Sequence, residues 1–323
     1  MEGLTLAAGA RRVIQVCAGV RPGETVLVLS DTARDPEVAA ALYLAAVEAE
    51  ARALSVTMAP PTLPVGEPPA PVALAMAASQ VVVGATTCTI YHTRAVRRAR
   101  KRGARVLSMP ECTPDTLRSP ALAADFDALL PKVREVARAL RGARDVLVTA
   151  PGGTRVRLSL RGRSPAASTG LARTPGSATG VPDVEVLAAP VERLTEGELV
   201  CDGSASILGR VQAPVRLIVR RGRAVEVRGG EEARRLSAVL QAAASPSAYV
   251  VAEFALGLNP LARVVGSIIE DEGAYGTGHF ALGDNSAFGG RNRAPIHVDL
   301  VFCRPTVTVD GRLLMMDGCL VGG

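Results

Sequence analysis

The sequence is poor in aromatic residues and in lysine. Its 323 residues include no tryptophan, five phenylalanines and four tyrosines, and the only lysines are Lys101 and Lys132. Proteins that bind single-stranded nucleic acid usually interleave aromatic and basic side chains, whereas the most basic stretch, residues 94–105, contains no aromatic residue. The net charge of +6 comes almost entirely from arginine and does not indicate a nucleic-acid-binding protein. We interpret the basic stretch as the solvent-exposed face of a helix.

Several local motifs are also missing. The six cysteines form no CxxC pair, which argues against a zinc ribbon or a redox motif and favours reduced thiols. Neither GxGxxG nor the P-loop pattern GxxxxGK occurs, so no nucleotide site is predicted. The chain has no apolar run of about 18 residues, and the N-terminal segment lacks the charge order of a signal peptide. The sequence therefore predicts a cytoplasmic protein without a membrane partner.

The length predicts two domains, because one hydrophobic core rarely serves more than about 250–300 residues. In residues 1–142, short apolar strands alternate with helical segments, which is typical of a doubly wound parallel sheet, an α/β fold. In residues 143–323, short strands dominate, and we predict a β-rich α+β domain. Ligands of parallel sheets bind beyond the carboxyl ends of the strands. We therefore predict that His92, in the loop after the third strand, contacts the substrate.

Two of the three histidines lie close to acidic residues in the C-terminal half. His297 and Asp299 stand two residues apart in an apolar segment, a spacing that places both side chains on one face of a strand. A buried histidine and carboxylate are costly unless something pairs with them. Both are common ligands of catalytic metals, so we predict a metal centre in the second domain. His279 and the acids Glu185 and Glu253, which stand in apolar strand contexts, are further candidate ligands.

From about residue 180 onward, the chain resembles the aminopeptidase T type of metallo-aminopeptidase. The resemblance is carried by the segments around Glu185 and Glu253, by His-Phe-Ala-Leu-Gly from His279, and by the pair His297 and Asp299. It implies a homodimer with two divalent ions (zinc, cobalt or manganese) that share a carboxylate and activate a water molecule.

The resemblance also implies a role for each residue. Glu185 and Glu253 act as catalytic carboxylates and as ligands, His279 binds one ion, and His297 with Asp299 binds the other. The implied activity is that of a hydrolase, similar to a leucyl aminopeptidase, that removes N-terminal residues from small peptides.

One position departs from the aminopeptidase pattern. That family has a tyrosine seven residues after the first motif histidine, where this chain has Ser286. A serine hydroxyl is shorter, and the loss of one oxyanion donor typically lowers the rate by about 10²–10³. The same superfamily includes the 2,5-dihydroxypyridine dioxygenases, which use one ferrous ion. In that alternative, His279, His297 and Asp299 form the two-histidine, one-carboxylate site of an iron(II) oxygenase.

The residues leave these hypotheses open. The absent tyrosine and the short chain favour the dioxygenase, whereas the presence of both Glu185 and Glu253 favours the hydrolase. A third hypothesis is a non-catalytic, metal-binding homologue. Asn285 and Ser286, which follow the Ala-Leu-Gly turn, are predicted to contact the substrate. The acidic run at residues 270–272 is predicted to be a solvent-exposed turn, and the alternative is that it gates the site or supports a ligand.

Overall fold

The computed structural model describes residues 3–60, 66–91 and 93–322. In these ranges the α-helices, in chain order, are α1 Leu6–Arg11, α2 Pro36–Glu48, α3 Ala70–Ala78, α4 Arg94–Lys101, α5 Pro114–Arg118, α6 Phe126–Leu140, α7 Glu231–Ala242 and α8 Ile268–Asp271. A π-helix, Arg12–Cys17, continues α1, and short 3₁₀ helices span Pro120–Ala123, Pro246–Tyr249 and Ser286–Phe288. No helix in the described ranges is long and apolar enough to cross a lipid bilayer.

The strands are short and become more frequent after residue 142. In chain order they are β1 Thr25–Asp31, β2 Arg52–Met58, β3 Val81–Ala85, β4 Arg105–Ser108, β5 Val146–Thr149, β6 Arg155–Leu158, β7 Ala166–Ser168, β8 Ala178–Gly180, β9 Glu185–Ala188, β10 Glu196–Cys201, β11 Ser204–Ala205, β12 Gly209–Arg210, β13 Val215–Arg220, β14 Arg223–Arg228, β15 Val251–Gly257, β16 Thr277–Gly283, β17 His297–Cys303, β18 Thr306–Val309, β19 Arg312–Met316 and β20 Cys319–Leu320.

The chain divides into two compact units, each with its own sheets. The N-terminal unit comprises Met1–Phe126 and Ser168–Val184, and the C-terminal unit comprises Asp127–Ala167 and Glu185–Gly323. The predicted single boundary after residue 142 differs from this division. The chain leaves the first unit before most of α6 and returns to it at residue 168, so that β8 can pair with β4.

The N-terminal unit is built on a parallel sheet with the order β2-β1-β3-β4-β8. β1 and β3 are buried along almost their whole length, without alternation, because helices cover both faces of such a sheet. Asp35 begins α2 by accepting a hydrogen bond from the Glu37 backbone N–H, and Pro36 occupies the first turn, where no donor is needed.

The C-terminal unit is β-rich and antiparallel. One sheet has the order β14-β13-β10-β6-β5-β18-β19-β20, and the other has the order β12-β11-β17-β16-β15-β9-β7. β13 alternates buried and more exposed residues, as expected for a sheet with one face towards solvent. In contrast, β15 and β16 are buried throughout. The predicted fold class, α/β followed by β-rich α+β, is confirmed.

Candidate metal centre

The candidate ligands lie on one face of four neighbouring strands, β17, β16, β15 and β9. In the strand register Glu253 is opposite Ala281, which is opposite Asp299, while His297 is opposite Gly283. Residues that are paired across strands, or two apart along a strand, share a face. By this rule, that face also carries His279 and, through its pairing with Gly257, Glu185. Because the residues between the ligands on this face are alanine and glycine, the ligand side chains can converge.

The five predicted ligands meet in space, although up to 114 positions separate them in the sequence (Glu185 to Asp299). The Nε2 atom of His279 lies 3.5 Å from Glu185 Oε2 and 3.5 Å from Glu253 Oε1. The Nε2 atom of His297 lies 3.2 Å from Glu253 Oε2 and 3.1 Å from Asp299 Oδ1. Glu253 therefore stands between the two imidazoles. His279 is 1% exposed and Glu253 is 4% exposed, so solvent scarcely screens these contacts.

The electrostatics of the cluster follow from this proximity. Burial alone would raise the pKa of Glu253, but hydrogen bonds and charge from the two histidines hold that pKa below its usual range. Burial would likewise raise the pKa of Asp299, but the charge and hydrogen bond of His297 outweigh it and hold that pKa far below the usual value. For His297, burial acts to lower the pKa, while Asp299 and Glu253 together raise it well above normal. These interactions favour the ionised form of Glu253 and Asp299 and the protonated form of His297.

Neighbouring groups fix the orientation of the ligands. The Nδ1–H of His297 donates to the Asp284 carbonyl oxygen at 2.8 Å, which directs Nε2 into the cluster. Asp299 Oδ2 accepts a hydrogen bond from the Ser206 hydroxyl at 2.9 Å. Outer partners of this kind fix ring and carboxylate orientation in metal sites.

In the described residues, four groups of ligand atoms could each hold an ion, with the atoms of a group within 4.8 Å of one another. Three groups contain one histidine each: Glu185, Glu253 and His279; Glu253, His297 and Asp299; and Glu272, His279 and Asp299. The fourth consists of the acids Asp183, Glu185 and Glu272. Because the groups share Glu253, His279 and Asp299, they form one continuous set of nitrogen and oxygen donors. This donor set suits a divalent transition metal.

The sequence did not identify Glu272 as a candidate metal ligand, although it belongs to a group with His279 and Asp299. The prediction that residues 270–272 form a solvent-exposed turn is wrong, because Glu270 and Asp271 are buried and Glu272 is partly buried. Backbone hydrogen bonds offset the burial of the Asp271 carboxylate, which accepts from the N–H groups of Val265 and Gly266 at 2.7 and 2.9 Å. The only signal in the sequence was the position of this acidic run shortly before His279.

Two predicted substrate-contact residues, Asn285 and Ser286, are absent from the groups of candidate ligands found in the described residues. Asn285 is fully buried, and its Oδ1 accepts a hydrogen bond from the Asn292 backbone N–H at 2.8 Å. Ser286 is exposed and donates its hydroxyl to Asp284 at 2.8 Å. The nearby Tyr275 hydroxyl accepts from the Leu320 N–H at 2.9 Å. His92 lies outside the described residues. A substrate contact from Asn285, Ser286 or His92 stays a prediction.

The loop of residues 284–294 (the 284–294 loop) depends on one glycine. A Cβ atom at Gly290 would lie 1.9 Å from the side-chain Cγ of Asn285. Asn285 cannot easily move away because it is buried and hydrogen-bonded within the loop.

We therefore expect Gly290→Ala to destabilise the protein by about 1–3 kcal/mol, the usual cost of overpacking a well-packed site. Denaturant unfolding measures this change. Gly230→Ala is the control, because its nearest neighbours to a new Cβ are 3.8 Å away. Equal stability of the two variants would contradict the expectation.

Two comparisons with known sequences point to the same family. A model of the family NicX, 2,5-dihydroxypyridine 5,6-dioxygenase, matches residues 5–322. The 2,5-dihydroxypyridine 5,6-dioxygenase of Pseudomonas putida is 26% identical over 195 residues, which cover 56% of this chain and 55% of that protein. The aligned part thus spans only about half of this relative's length.

Two solved structures share the fold. The 2,5-dihydroxypyridine dioxygenase of Pseudomonas putida has a TM-score of 0.83 at 22% identity, with 98% of this chain and 97% of that chain covered. Wild-type AmpT from Thermus thermophilus has a TM-score of 0.71 at 18% identity, with 98% and 99% covered. At these identities the two structures establish the fold alone.

These findings correct the predicted activity. The prediction of an aminopeptidase, and with it of a leucyl aminopeptidase-like hydrolase acting on small peptides, is wrong: the family model, the curated relative and the structure with the higher TM-score are all dioxygenases. The error has a physical reason, since histidine and carboxylate ligands serve hydrolytic and oxidative metals alike. The chain shares its fold with both kinds of enzyme. The findings indicate a metal-dependent family of enzymes.

Proposed function

The chain belongs to the 2,5-dihydroxypyridine 5,6-dioxygenase family, and from this premise we propose that it is an iron(II)-dependent dioxygenase that opens the ring of a small hydroxylated pyridine. The observation that carries the proposal is the buried cluster of two histidines and at least three carboxylates, in a chain that the family model matches from residue 5 to 322. The same cluster was the basis of the dioxygenase alternative drawn from the sequence.

The donor set fits a ferrous ion. Two histidines and one carboxylate with open positions are typical of non-haem iron(II) oxygenases, and we propose His279, His297 and Asp299 for this role. Ferrous iron, when bound, supplies the means to activate dioxygen and the hydroxylated ring. Zinc, cobalt and manganese, and a second ion, belonged to the hydrolase hypothesis and are not needed for this chemistry.

The remaining carboxylates have roles that do not require them to be ligands. Glu253 lies between the two imidazoles, with its carboxylate oxygens 3.5 Å from His279 Nε2 and 3.2 Å from His297 Nε2, and its negative charge favours a cation at this position. Glu185 lies at the border of the cluster, on β9, and its Oε2 atom is 3.5 Å from His279 Nε2. We assign to Glu185 the acceptance of a proton from a substrate hydroxyl as the ring binds. The predicted homodimer is retained here as a proposal that rests on resemblance.

Oxygen uptake tests the proposed function. Protein stripped of metal and loaded anaerobically with one equivalent of iron(II) is expected to consume one O₂ for each 2,5-dihydroxypyridine lost, because a dioxygenase inserts both oxygen atoms. The zinc-loaded protein is the control and is expected to be inactive, because zinc is not redox-active. An iron-loaded protein that leaves a range of hydroxypyridines unchanged would overturn the proposal and favour the non-catalytic homologue.

A further inference from the structure

One of the five phenylalanines differs in its surroundings from the others. Phe126, Phe254, Phe280 and Phe302 are fully buried, whereas Phe288 is partly exposed. Phe288 ends the short 3₁₀ helix of the 284–294 loop, and its ring meets the imidazole of His297 edge to face, with the centroids 5.9 Å apart and an interplanar angle of 86°. An apolar ring is therefore available beside the candidate metal centre.

The loop that carries Phe288 is anchored by a nearly buried ion pair. Glu192 accepts a hydrogen bond from the Arg291 backbone N–H at 2.7 Å and pairs with Arg163 at 2.5 Å. Arg163 also donates to the carbonyl of Gly289, the residue that follows Phe288. The side chains of Arg163 and Glu192 are 11% and 25% exposed, so solvent only partly screens their attraction. Before Phe288, the Nδ2 group of Asn285 lies 3.5 Å from Glu192 Oε1, so Glu192 contacts the loop on both sides of Phe288.

The 3₁₀ helix Ser286–Phe288, which carries this ring, offers one side-chain hydroxyl and no charged group. The Ser286 hydroxyl is occupied by Asp284, and Phe288 has no hydroxyl. A hydrogen-bonding substrate would gain little from such a segment. A planar ring would gain more, because aromatic rings attract one another at centroid separations of about 4.5–7 Å. Phe288 contacts the imidazole of His297 at a centroid distance within that range, so its ring lies next to a residue that would hold the metal.

We propose that Phe288 is the specificity-determining wall of the site, against which the ring of the substrate packs, and that Glu192 is the positioning residue that holds this wall in place. The substrate's identity as a hydroxypyridine rests on the proposed function. The preference for a ring does not, because it is a property of binding and requires no turnover.

The test compares two metal-chelating probes that differ in the ring alone. Benzohydroxamate and acetohydroxamate are titrated into the full-length, zinc-loaded protein by calorimetry, and metal content is checked afterwards. Wild type is expected to bind benzohydroxamate more tightly. In Phe288→Ala the ratio of the two affinities is expected to fall about tenfold, with acetohydroxamate binding and zinc content unchanged. Phe288→Tyr, which keeps the ring, is expected to stay within about twofold of wild type, and Phe288→Leu is expected to lie between.

Variants of Glu192 test the positioning role. Glu192→Ala is expected to lower the same ratio without loss of zinc, and Glu192→Gln, which keeps an acceptor for the Arg291 N–H, is expected to recover part of it. A ratio that Phe288→Ala leaves unchanged, or an equal loss for both probes, would overturn the proposal, as would a wild type that binds neither probe. Ring preference without oxygen uptake in the iron-loaded protein would leave this inference standing and remove the proposed dioxygenase activity.

Discussion

Replacing His297 with alanine is expected to lower the metal affinity by more than about 100-fold and to abolish oxygen uptake. Changes to outer partners of metal ligands already cost about 10–100-fold, and His297 lies within 3.2 Å of both Glu253 and Asp299, at the centre of one ligand group. The fold is expected to remain, because the substitution keeps the strand backbone of β17 intact. Elemental analysis of protein dialysed against a weak chelator measures the loss of metal. Circular dichroism checks that the variant keeps its fold.

The control for this variant is Glu226→Ala. Glu226 is also a charged residue of the C-terminal unit, but it lies on exposed β14 and pairs with Arg228 at the surface. Surface ion pairs contribute at most about 1 kcal/mol, so metal content and activity should match those of wild type. A His297→Ala protein that keeps its full metal content would show that His297 is not a ligand.

Replacing Phe280 with alanine is expected to destabilise the protein by about 3–5 kcal/mol, the usual cost of removing a buried phenylalanine. Phe280 is fully buried, and its ring lies between those of Phe254 and Phe302, at centroid distances of 5.2 and 5.6 Å. These three rings lie on the face of the sheet opposite to the ligands, since Phe280 is adjacent to His279 on β16. Denaturant unfolding of the metal-free protein measures the loss.

Phe288→Ala is the matched control, since it removes the same side chain from a partly exposed position. It is expected to cost less stability than Phe280→Ala, because part of the Phe288 side chain is still in contact with water in the folded protein, while it impairs ring binding. Phe280→Ala should instead lower the stability strongly and affect ring binding less. Equal destabilisation by the two substitutions would mean that the 284–294 loop contributes to the core as much as the phenylalanine stack does.

The strand pattern of the sequence predicted much of the fold and the convergence of the ligands. Apolar runs in the sequence predict strands at residues 105–108, 215–220 and 306–309, and these are the limits of β4, β13 and β18. The two-residue spacing of His297 and Asp299 predicted a common face, and both residues lie at the predicted face of β17. Alternation of strand and helix was sufficient for the parallel sheet, because a sheet covered on both faces requires continuous apolar strands.

Features that depend on distant pairing could not be predicted. Residues 161–179 are rich in glycine, serine and proline, a composition that predicts a loop, yet they contain β7 and the start of β8. β8 forms by pairing with the edge of β4. The two strands are 70 positions apart in the sequence (108 to 178), so the local composition of residues 161–179 does not indicate the pairing. Glu272 was missed for a similar reason, since its approach to His279 and Asp299 depends on how the preceding loop folds.

The return of residues 168–184 to the N-terminal unit has a consequence for biosynthesis. Until the ribosome has produced β8, the outer edge of β4 has no strand partner, and an open edge of a parallel sheet is a template for association with other chains. Nascent protein is therefore most prone to aggregate in the interval between these two strands. Truncations that end anywhere from residue 127 to 177 should be poorly soluble, whereas a fragment that joins the two segments by a short linker would close the edge.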